Sequence, residues 1–224
     1  MNNELIKRIC DYADVKSKDT VLEIGAGTGN LTAELIKRAK FVYAVEKDKK
    51  ILETLYDRFQ RCENIKIIHG DALKIEFPKF NKIVSNLPYS ISKKITIKFL
   101  KYKFDRAILL YQKEFVDKLI AKSGTDNYRF ISALVQSVAD VEFLENVPPA
   151  AFQPRPRVWS ALIKIVPKRI PDNRYIEFLK TLFNYKNKKI INILKDKNIP
   201  KKYADSRSIN LNPEELLGLY SRIY

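Results

Sequence analysis

The chain has few of the side chains that most often bind metals or carry protons in enzymes. Its 224 residues include one histidine, His69, and two cysteines, Cys10 and Cys62. The cysteines lie far apart and lack CxxC spacing, which indicates free thiols in the reducing environment of the cytoplasm. Too few ligands or bases exist for a zinc site or for histidine-based acid–base catalysis. We therefore expect no metal ion.

Long apolar runs are also missing. No run approaches the roughly 18 apolar residues that a membrane-spanning helix needs. The segment from Met1 to Cys10 carries Glu4, where a signal peptide would be apolar. We therefore expect a cytoplasmic protein without a membrane partner.

Acidic side chains are too few to balance the basic ones. Lys and Arg number 42 against 26 Asp and Glu, so the net charge is +16. A charge of this size indicates a polyanionic partner. Charge alone leaves RNA, DNA and an acidic membrane open, and the membrane is the weakest of the three because no apolar anchor accompanies the charge.

Strand and helix patterns alternate along most of the chain. Short apolar runs predict strands at 20–24, 41–45, 65–69, 82–84, 104–110, 141–144 and 160–166. The helical spacing between them predicts an α/β fold with a doubly wound, mostly parallel sheet. After Pro167 the pattern becomes helical, at 172–185, 187–198 and 213–224. We therefore predict a sheet domain at 1–166 and a small helical domain at 167–224, whose 13 basic and 6 acidic side chains suit RNA phosphates.

The first predicted strand runs directly into Gly25, Gly27 and Gly29, which precede a predicted helix at 31–39. Glycines at such a turn let the backbone approach a ligand closely, beside the helix N–H groups. A dinucleotide-binding loop would have glycine or alanine at the position of Asn30, and no Gly-Lys-Ser/Thr of a phosphate loop follows. The turn therefore indicates either a ligand loop or a structural glycine turn.

Acidic residues end the next two predicted strands. Glu46 lies about 20 residues beyond the glycine turn, where a carboxylate can accept hydrogen bonds from both hydroxyls of a ribose. Asp71 follows the third strand and could accept from an adenine amine or merely cap the next turn. Glu46 could equally be a solvated strand-end residue. Taken with the glycine turn, these positions favour a ligand that carries a nucleoside without a required pyrophosphate.

The fourth predicted strand leads into Asn86-Leu87-Pro88-Tyr89. Pro88 makes this loop stiff, so an amide oxygen, a backbone carbonyl and an aromatic ring can face outward together. These groups suit a planar base with an exocyclic amine, although an ordinary strand-to-helix turn would also fit. The proline-rich segment 148–157 is a second stiff loop, which offers Phe152 as a stacking face or as a packed side chain, and two arginines for phosphates.

Taken together, these motifs resemble the KsgA/Dim1 family of small-subunit rRNA adenine N6,N6-dimethyltransferases, and most closely its archaeal and eukaryotic branch. The resemblance runs from about Val21 to Val166 and continues weakly into the helical tail. The motifs that carry it are Leu22-Glu23-Ile24-Gly25-x-Gly27-x-Gly29, Glu46, Gly70-Asp71-Ala72, Asn86-Leu87-Pro88-Tyr89, Tyr111-Gln112-Lys113-Glu114-Phe115 and Val147-Pro148-Pro149-x-x-Phe152-x-Pro154-x-Pro156-x-Val158.

The resemblance implies a Rossmann-like class I methyltransferase fold with S-adenosylmethionine as the cofactor. It implies catalytic roles at the target adenine for Asn86, Leu87, Pro88, Tyr89 and Phe152. It implies a cofactor site made of Glu23, Gly25, Ala26, Gly27, Gly29, Glu46, Lys47, Asp71, Ala72 and Asn86. Family members begin with a Gln-x-Phe-Leu segment that helps to enclose the cofactor, and the first five residues here hold nothing like it.

The implied reaction is dimethylation of adjacent adenines in a hairpin loop near the 3′ end of small-subunit rRNA, coupled to ribosome biogenesis, by a monomer. Three alternatives remain open on the sequence: large-subunit rRNA as the substrate, as in the related Erm enzymes, DNA as the substrate, or an RNA-binding assembly factor that has lost catalysis. The proline-rich segment favours small-subunit rRNA, and the intact Asn86-to-Tyr89 loop argues against lost catalysis.

Overall fold

The computed structural model describes residues 1–195 and 199–224, and seven strands form a single sheet within them. The strands are β1 Thr20–Ile24, β2 Phe41–Glu46, β3 Ile65–His69, β4 Lys82–Asn86, β5 Arg106–Gln112, β6 Ala139–Val147 and β7 Ser160–Pro167. Their spatial order is β3-β2-β1-β4-β5-β7-β6, with β7 antiparallel to both of its neighbours and the first five strands parallel. The predicted doubly wound, mostly parallel sheet is confirmed.

Strand order reverses between β1 and β4, so ligands are expected outside the carboxyl ends of these strands.

Helices connect the strands and continue beyond the last one. They are α1 Asn3–Ala13, α2 Asn30–Arg38, α3 Lys49–Phe59, α4 Ser92–Phe99, α5 Lys113–Leu119, α6 Phe130–Val138, α7 Asn173–Asn184, α8 Ile190–Leu194, α9 Lys201–Ala204 and α10 Pro213–Ile223. Single 3-10 turns lie at Tyr89–Ile91, Pro149–Ala151 and Ser208–Asn210. The predicted helix at 187–198 is wrong in extent: α8 is shorter and ends at Leu194, and its capping residue Lys195 has a φ of +53°. The last three positions of that prediction, 196–198, lie outside the described residues.

Successive residues of the central strands face opposite sides of the sheet, because side chains alternate along a strand. On β1, Val21 belongs to the hydrophobic cluster that includes residues of α1 and α2, whereas Leu22 belongs to the cluster that includes residues of α4, α5 and α6. Both side chains are fully buried. Burial on both faces explains why these strands are continuous apolar runs in the sequence.

The helical tail packs on the same side of the sheet as α4 to α6. Leu179 of α7 and Leu216 of α10 belong to the hydrophobic cluster that includes Leu109 of β5, and all three are fully buried. The tail is therefore attached to the sheet through a shared core. Division of the chain into domains at 166 and 167 stays a prediction.

Both cysteines are free, as the sequence indicated, and burial raises the pKa of the Cys10 thiol to about 12. None of the described helices is long and apolar enough to span a membrane. Within 1–195 and 199–224, no group of three or more His, Cys, Asp or Glu side chains is placed to hold a metal ion.

Candidate active site at the carboxyl edge of the sheet

The glycine turn between β1 and α2 contains three glycines with positive φ, and each has different surroundings. A Cβ atom on Gly29 would lie 2.5 Å from the Phe59 ring, and one on Gly25 would lie 3.1 Å from Pro88. A Cβ atom on Gly27 would meet nothing within 4 Å. Gly29 therefore serves packing against α3, Gly25 allows the turn to touch the Asn86-to-Tyr89 loop, and Gly27 faces open space.

The carboxylate of Glu46 holds the glycine turn in place. It accepts hydrogen bonds from the backbone N–H of Gly27 (2.9 Å), Lys47 (2.7 Å) and Asp48 (2.8 Å). A carboxylate has about four acceptor positions, so Glu46 retains capacity for a ligand. It is not the freely solvated strand-end residue that the sequence left open, since only 9% of its surface is exposed.

Glu23 lies beneath the turn and does not line the cleft. It is 1% exposed, and its carboxyl group accepts a hydrogen bond from the Thr32 hydroxyl at 2.6 Å. Burial raises the pKa of Glu23 to about 8, and the nearby charge of Glu46 adds to the shift. The Glu23 side chain therefore supports the turn from below, through its bond to Thr32 at the start of α2.

Two neighbouring lobes form the cleft above the glycine turn, and both are lined by Gly25, Glu46 and Pro88. The larger lobe, of about 400 Å³, is further lined by Met1, Gly27, Asn86, Leu87, Tyr89, Phe152, Gln153, Pro154 and Pro156. The smaller lobe, of about 150 Å³, is further lined by Ile24, Val45, Lys47, Gly70, Asp71, Ala72, Ser90 and Ile91. The structure thus brings together every predicted site residue except Glu23, Ala26 and Gly29.

Asp71 is held at the smaller lobe by two hydrogen bonds. Its Oδ1 accepts from the backbone N–H of Leu73 (3.0 Å), and its Oδ2 pairs with Lys47 Nζ (3.1 Å). The Leu73 N–H and the Lys47 ammonium together lower the pKa of Asp71, so the group is a stable acceptor. The turn-capping role that the sequence left open is confirmed. The remaining lone pairs of Asp71 stay available to a ligand in the lobe.

The Asn86-to-Tyr89 loop carries polar groups that the protein leaves without partners. Leu87 N–H donates to the Leu110 carbonyl (3.2 Å), which fixes the loop on β5. Over the described ranges, neither the Asn86 carboxamide nor the Leu87 carbonyl bonds another protein group. Since both groups belong to residues that line the larger lobe, two acceptors are ready for a donor there.

The Tyr89 ring is positioned by a residue distant in the sequence. Its hydroxyl lies 2.7 Å from Ser160 Oγ, at the start of β7, and Ser160 is fully buried. Sequence reasoning missed Ser160 because only the pairing of β7 with β5 brings it near Tyr89. Its one local signal is that a serine begins a strand whose next three residues, Ala161, Leu162 and Ile163, are apolar.

Phe152 is packed inward and also faces the cleft. It is half-buried against the cluster beneath α1 and also lines the larger lobe. The turn before it is tied to the start of the chain, since Asn2 N–H donates to the Ala151 carbonyl at 2.9 Å. Arg155 and Arg157, further along the segment, are exposed. The segment therefore forms one wall of the lobe and presents two cations beside it.

Known proteins with the same architecture extend over nearly the whole chain. A "Probable ribosomal RNA small subunit methyltransferase A" from Methanosarcina acetivorans is 41% identical over 238 residues, which cover 98% of this chain and 88% of the relative. A protein of the same description from Thermococcus sibiricus is 47% identical over 197 residues, covering 86% of this chain and 71% of the relative.

Solved structures agree with these relatives. The crystal structure of a dimethyladenosine transferase from Plasmodium falciparum superposes with a TM-score of 0.87 at 30% identity, covering 97% of this chain and 94% of that one. The 23S rRNA methyltransferase ErmE superposes with a TM-score of 0.76 at 25% identity, covering 99% and 98%. The family model described as "Ribosomal RNA adenine dimethylase" matches residues 1–219. This chain therefore belongs to the ribosomal RNA adenine dimethylase family.

Proposed function

We propose that this chain dimethylates N6 of adjacent adenines in a hairpin loop near the 3′ end of small-subunit rRNA, using S-adenosylmethionine. The observation that carries the proposal is the pair of acceptors, the Asn86 carboxamide and the Leu87 carbonyl, beside the Tyr89 ring in the larger lobe. An adenine presents an exocyclic amine with two donors and a flat ring, which matches those groups.

The residues of the cleft fit a nucleoside-bearing sulfonium cofactor. The open space over Gly27 leaves room for its amino-acid end, and the free capacity of Glu46 suits ribose hydroxyls. The smaller lobe is apolar on the sides formed by Ile24 and Val45 and polar at Asp71, which suits an adenine ring with its amine. When bound, the cofactor supplies an electrophilic methyl group.

The protein residues act mainly by orienting the target amine. In free adenine the N6 lone pair is delocalised into the ring, so the amine is a weak nucleophile. Hydrogen bonds to the Asn86 oxygen and the Leu87 carbonyl favour a tetrahedral nitrogen whose lone pair points out of the ring plane. The alkylated nitrogen is strongly acidic and loses its proton to water, so no histidine base is required. Acceleration then comes from orientation and differential binding.

Tyr89 and Phe152 hold the ring of the target adenine. Both line the larger lobe, and the bond from Tyr89 to Ser160 fixes one of the two aromatic faces. An adenine must leave its stack to enter, which costs less in a hairpin loop than in a duplex. This supports RNA with an accessible loop as the substrate, and we propose that the protein acts on it as a monomer in the cytoplasm during small-subunit biogenesis.

The test is methylation of purified ribosomal particles with isotopically labelled S-adenosylmethionine, followed by mass mapping of modified nucleosides. We expect N6,N6-dimethyladenine in small-subunit rRNA and none in large-subunit rRNA or DNA. The similarity to ErmE makes large-subunit rRNA the second candidate substrate. If only large-subunit rRNA were labelled, our proposal would be wrong and this second candidate would take its place. Cofactor binding by calorimetry without methylation of any substrate would indicate an assembly factor instead.

A further inference from the structure

A second cavity lies between the helices on the α4 side of the sheet and shares no lining residue with the active-site cleft. Its volume is about 560 Å³. We name it the basic cleft, and its lining residues are Lys93, Ile97, Phe115, Lys118, Arg129, Phe130, Ile131, Lys180, Phe183 and Asn184. They come from α4, α5, α7 and the start of α6, so a stable part of the fold shapes the cavity.

The lining of the basic cleft is positive. It contains four cations and no carboxylate. Lys118 and Lys180 each bond a glutamate on their own helix at 2.7 Å, and such exposed pairs are weak enough to be exchanged for a phosphate. Lys93 forms no ion pair in the part of the chain that the structure describes, whereas the Arg129 guanidinium donates to the backbone carbonyls of Asp126 and Tyr128. Among the described residues, Lys93 is therefore open to an anionic ligand, and Lys118 and Lys180 can exchange their glutamates for one.

Aromatic side chains stand between these cations. Phe115 and Phe183 are each partly exposed and line the cleft. The Phe115 ring packs on Tyr111, with centroids 5.0 Å apart, and the Lys93 ammonium lies 5.3 Å from the Phe130 centroid. Proteins that bind single-stranded nucleic acid combine cations, which contact the phosphates, with aromatic side chains, which stack on the bases.

The basic cleft begins at the edge of the sheet that carries the active site. Helix α4 follows the Tyr89–Ile91 turn directly. Helix α5 begins at Lys113, whose backbone N–H donates to the Trp159 carbonyl at 2.9 Å. The next residue, Ser160, bonds the Tyr89 hydroxyl. Two walls of the cleft therefore start beside the loop that would hold the target adenine.

We infer that the basic cleft binds an unpaired stretch of the RNA substrate next to the target adenine. This inference rests on the proposed function for the identity of the RNA. Lys93 and Lys180 contact phosphates, and Phe115 takes the face of an unstacked base. An acidic protein partner would use the cations but would gain little from the flat aromatic faces, which is why RNA fits the lining better.

The test compares three variants in RNA-binding titrations at several salt concentrations, with the fluorescence of Trp159, the chain's only tryptophan, as one readout. Lys93→Ala with Lys180→Ala should reduce the slope of log K against log salt by about 1.4, since each single-strand phosphate contact contributes about 0.7. Phe115→Leu keeps apolar volume but loses the ring. It should weaken binding about tenfold with the slope unchanged. Lys18→Ala with Lys40→Ala, two exposed lysines in loops at the opposite edge of the sheet, should change neither quantity.

Ultraviolet crosslinking of 4-thiouridine-substituted small-subunit particles identifies what occupies the cleft. We expect crosslinked peptides from α5 or α7 joined to rRNA. Crosslinks from these helices to a ribosomal protein, or an unchanged salt slope in the double lysine variant, would overturn the inference. Measurements on the unmodified protein distinguish the failure of this inference from the failure of the proposed function. If the protein bound RNA through the basic cleft without methylating it, only the proposed function would be refuted. If it bound no RNA at all, both would be refuted.

Discussion

Strands β1 and β4 carry polar side chains at both edges of the sheet, and the two edges differ in how many of those groups the protein itself satisfies. At the amino edge, Asp19 accepts from Lys82 Nζ, from Asn81 Nδ2 and from the backbone N–H of Lys16, each at 2.8 Å. Asn81 also accepts from the Thr20 N–H at 2.8 Å. Side chains from distant positions thus form one closed network.

At the carboxyl edge the equivalent groups are only partly bonded. The Asn86 carboxamide and the Leu87 carbonyl have no protein partner among the described residues, and Glu46 has spare acceptor positions. Leaving such groups without partners lowers stability unless water or a ligand bonds them. The network at the amino edge therefore stabilises the fold, whereas the carboxyl edge keeps its hydrogen-bonding capacity for ligands.

Buried carboxyl groups show the same difference. At the amino edge, hydrogen bonds from Lys82 and Asn81 outweigh the opposing effect of burial and lower the pKa of Asp19. Near the carboxyl edge, burial raises the pKa of Glu23 to about 8, and no cation among the described residues offsets this effect. The pKa values of two acids four residues apart, Asp19 just before β1 and Glu23 within it, are therefore shifted in opposite directions.

The largest expected effect is on stability at the amino edge. Lys82→Met removes the cation from a buried pair and leaves Asp19 uncompensated, which should lower the free energy of unfolding by about 3–5 kcal/mol. Urea denaturation measures the loss. Methylation per folded molecule should not change, and Lys40→Met on the surface should alter neither quantity. Reduced turnover in a Lys82→Met protein of unchanged stability would show that the amino edge also serves catalysis.

The second effect is on turnover at the carboxyl edge. Asn86→Ala should lower kcat at least about 100-fold, because its oxygen acts mainly on the amine as the nitrogen becomes tetrahedral. Cofactor affinity, RNA affinity and the melting temperature should match the parent. Calorimetry and single-turnover kinetics separate these quantities. Normal turnover in Asn86→Ala would rule out our interpretation of this loop.

The Tyr89 ring is expected to contribute less. Tyr89→Ala should weaken the reaction by the value of one base stack, about 1–3 kcal/mol in kcat/KM. Tyr89→Phe keeps the ring and should be milder. The hydrogen bond to Ser160 predicts that Ser160→Ala has the same small effect, and that combining it with Tyr89→Phe adds little. If Tyr89→Phe were as inactive as Tyr89→Ala, the hydroxyl itself would be required.

Two glycines of one turn provide a matched pair. Alanine at Gly27 or Gly29 places a side chain at positive φ, a strain of roughly 1–2 kcal/mol in each case. Gly29→Ala should cost further stability, because its Cβ meets Phe59 and Leu55. Gly27→Ala should instead weaken cofactor binding, since its Cβ enters open space in the cleft. Thermal melts measure the stability of both variants, and calorimetry measures their affinity for the cofactor. A larger loss of stability in Gly27→Ala, or a larger loss of cofactor affinity in Gly29→Ala, would contradict this prediction.

The smallest expected changes are in the slope of the unfolding free energy against pH. The folded state lowers the pKa of Asp19, so its contribution is present above the ordinary value of 3.8 and is lost as pH falls. The folded state raises the pKa of Glu23 from 4.5 to about 8, so stability is lost as pH rises through that interval. Asp19→Asn should therefore flatten the acidic side of the profile, and Glu23→Gln the neutral-to-alkaline side. The contribution of each carboxyl group to the slope of the unfolding free energy against pH is at most about 1.4 kcal/mol per pH unit, because each group binds or releases one proton.

These two variants serve as controls for each other, because each should leave the other's pH range unchanged. Urea denaturation between about pH 3 and 9 measures both. A flattened acidic side in Glu23→Gln would mean that the two carboxyl groups are coupled along β1, which would remove the distinction between the edges.

Short-range sequence patterns predict most of the strands and helices of this fold. Strands β1 and β3 begin and end where apolar runs predicted them, because a buried strand is a local property of composition. For β5 the apolar run predicts a strand at 104–110, two residues before the observed strand Arg106–Gln112. Phe104 packs with Phe99 and Phe80 before the strand, while Tyr111 and Gln112 extend it by pairing with β7. That extension depends on a partner about 50 residues away, which no local pattern contains.

The sequence by itself determined the alternation of strands and helices, the excess of positive charge and the polar residues that follow β1, β2, β3 and β4. These are properties of composition and short-range spacing, and each is readable within a few residues. Only the tertiary structure decided that Gly27 faces the cleft while Gly29 packs on Phe59, and that Ser160 orients Tyr89. Such facts depend on residues that meet across 30 to 71 positions, because strand order and helix packing, not sequence neighbourhood, set which atoms touch.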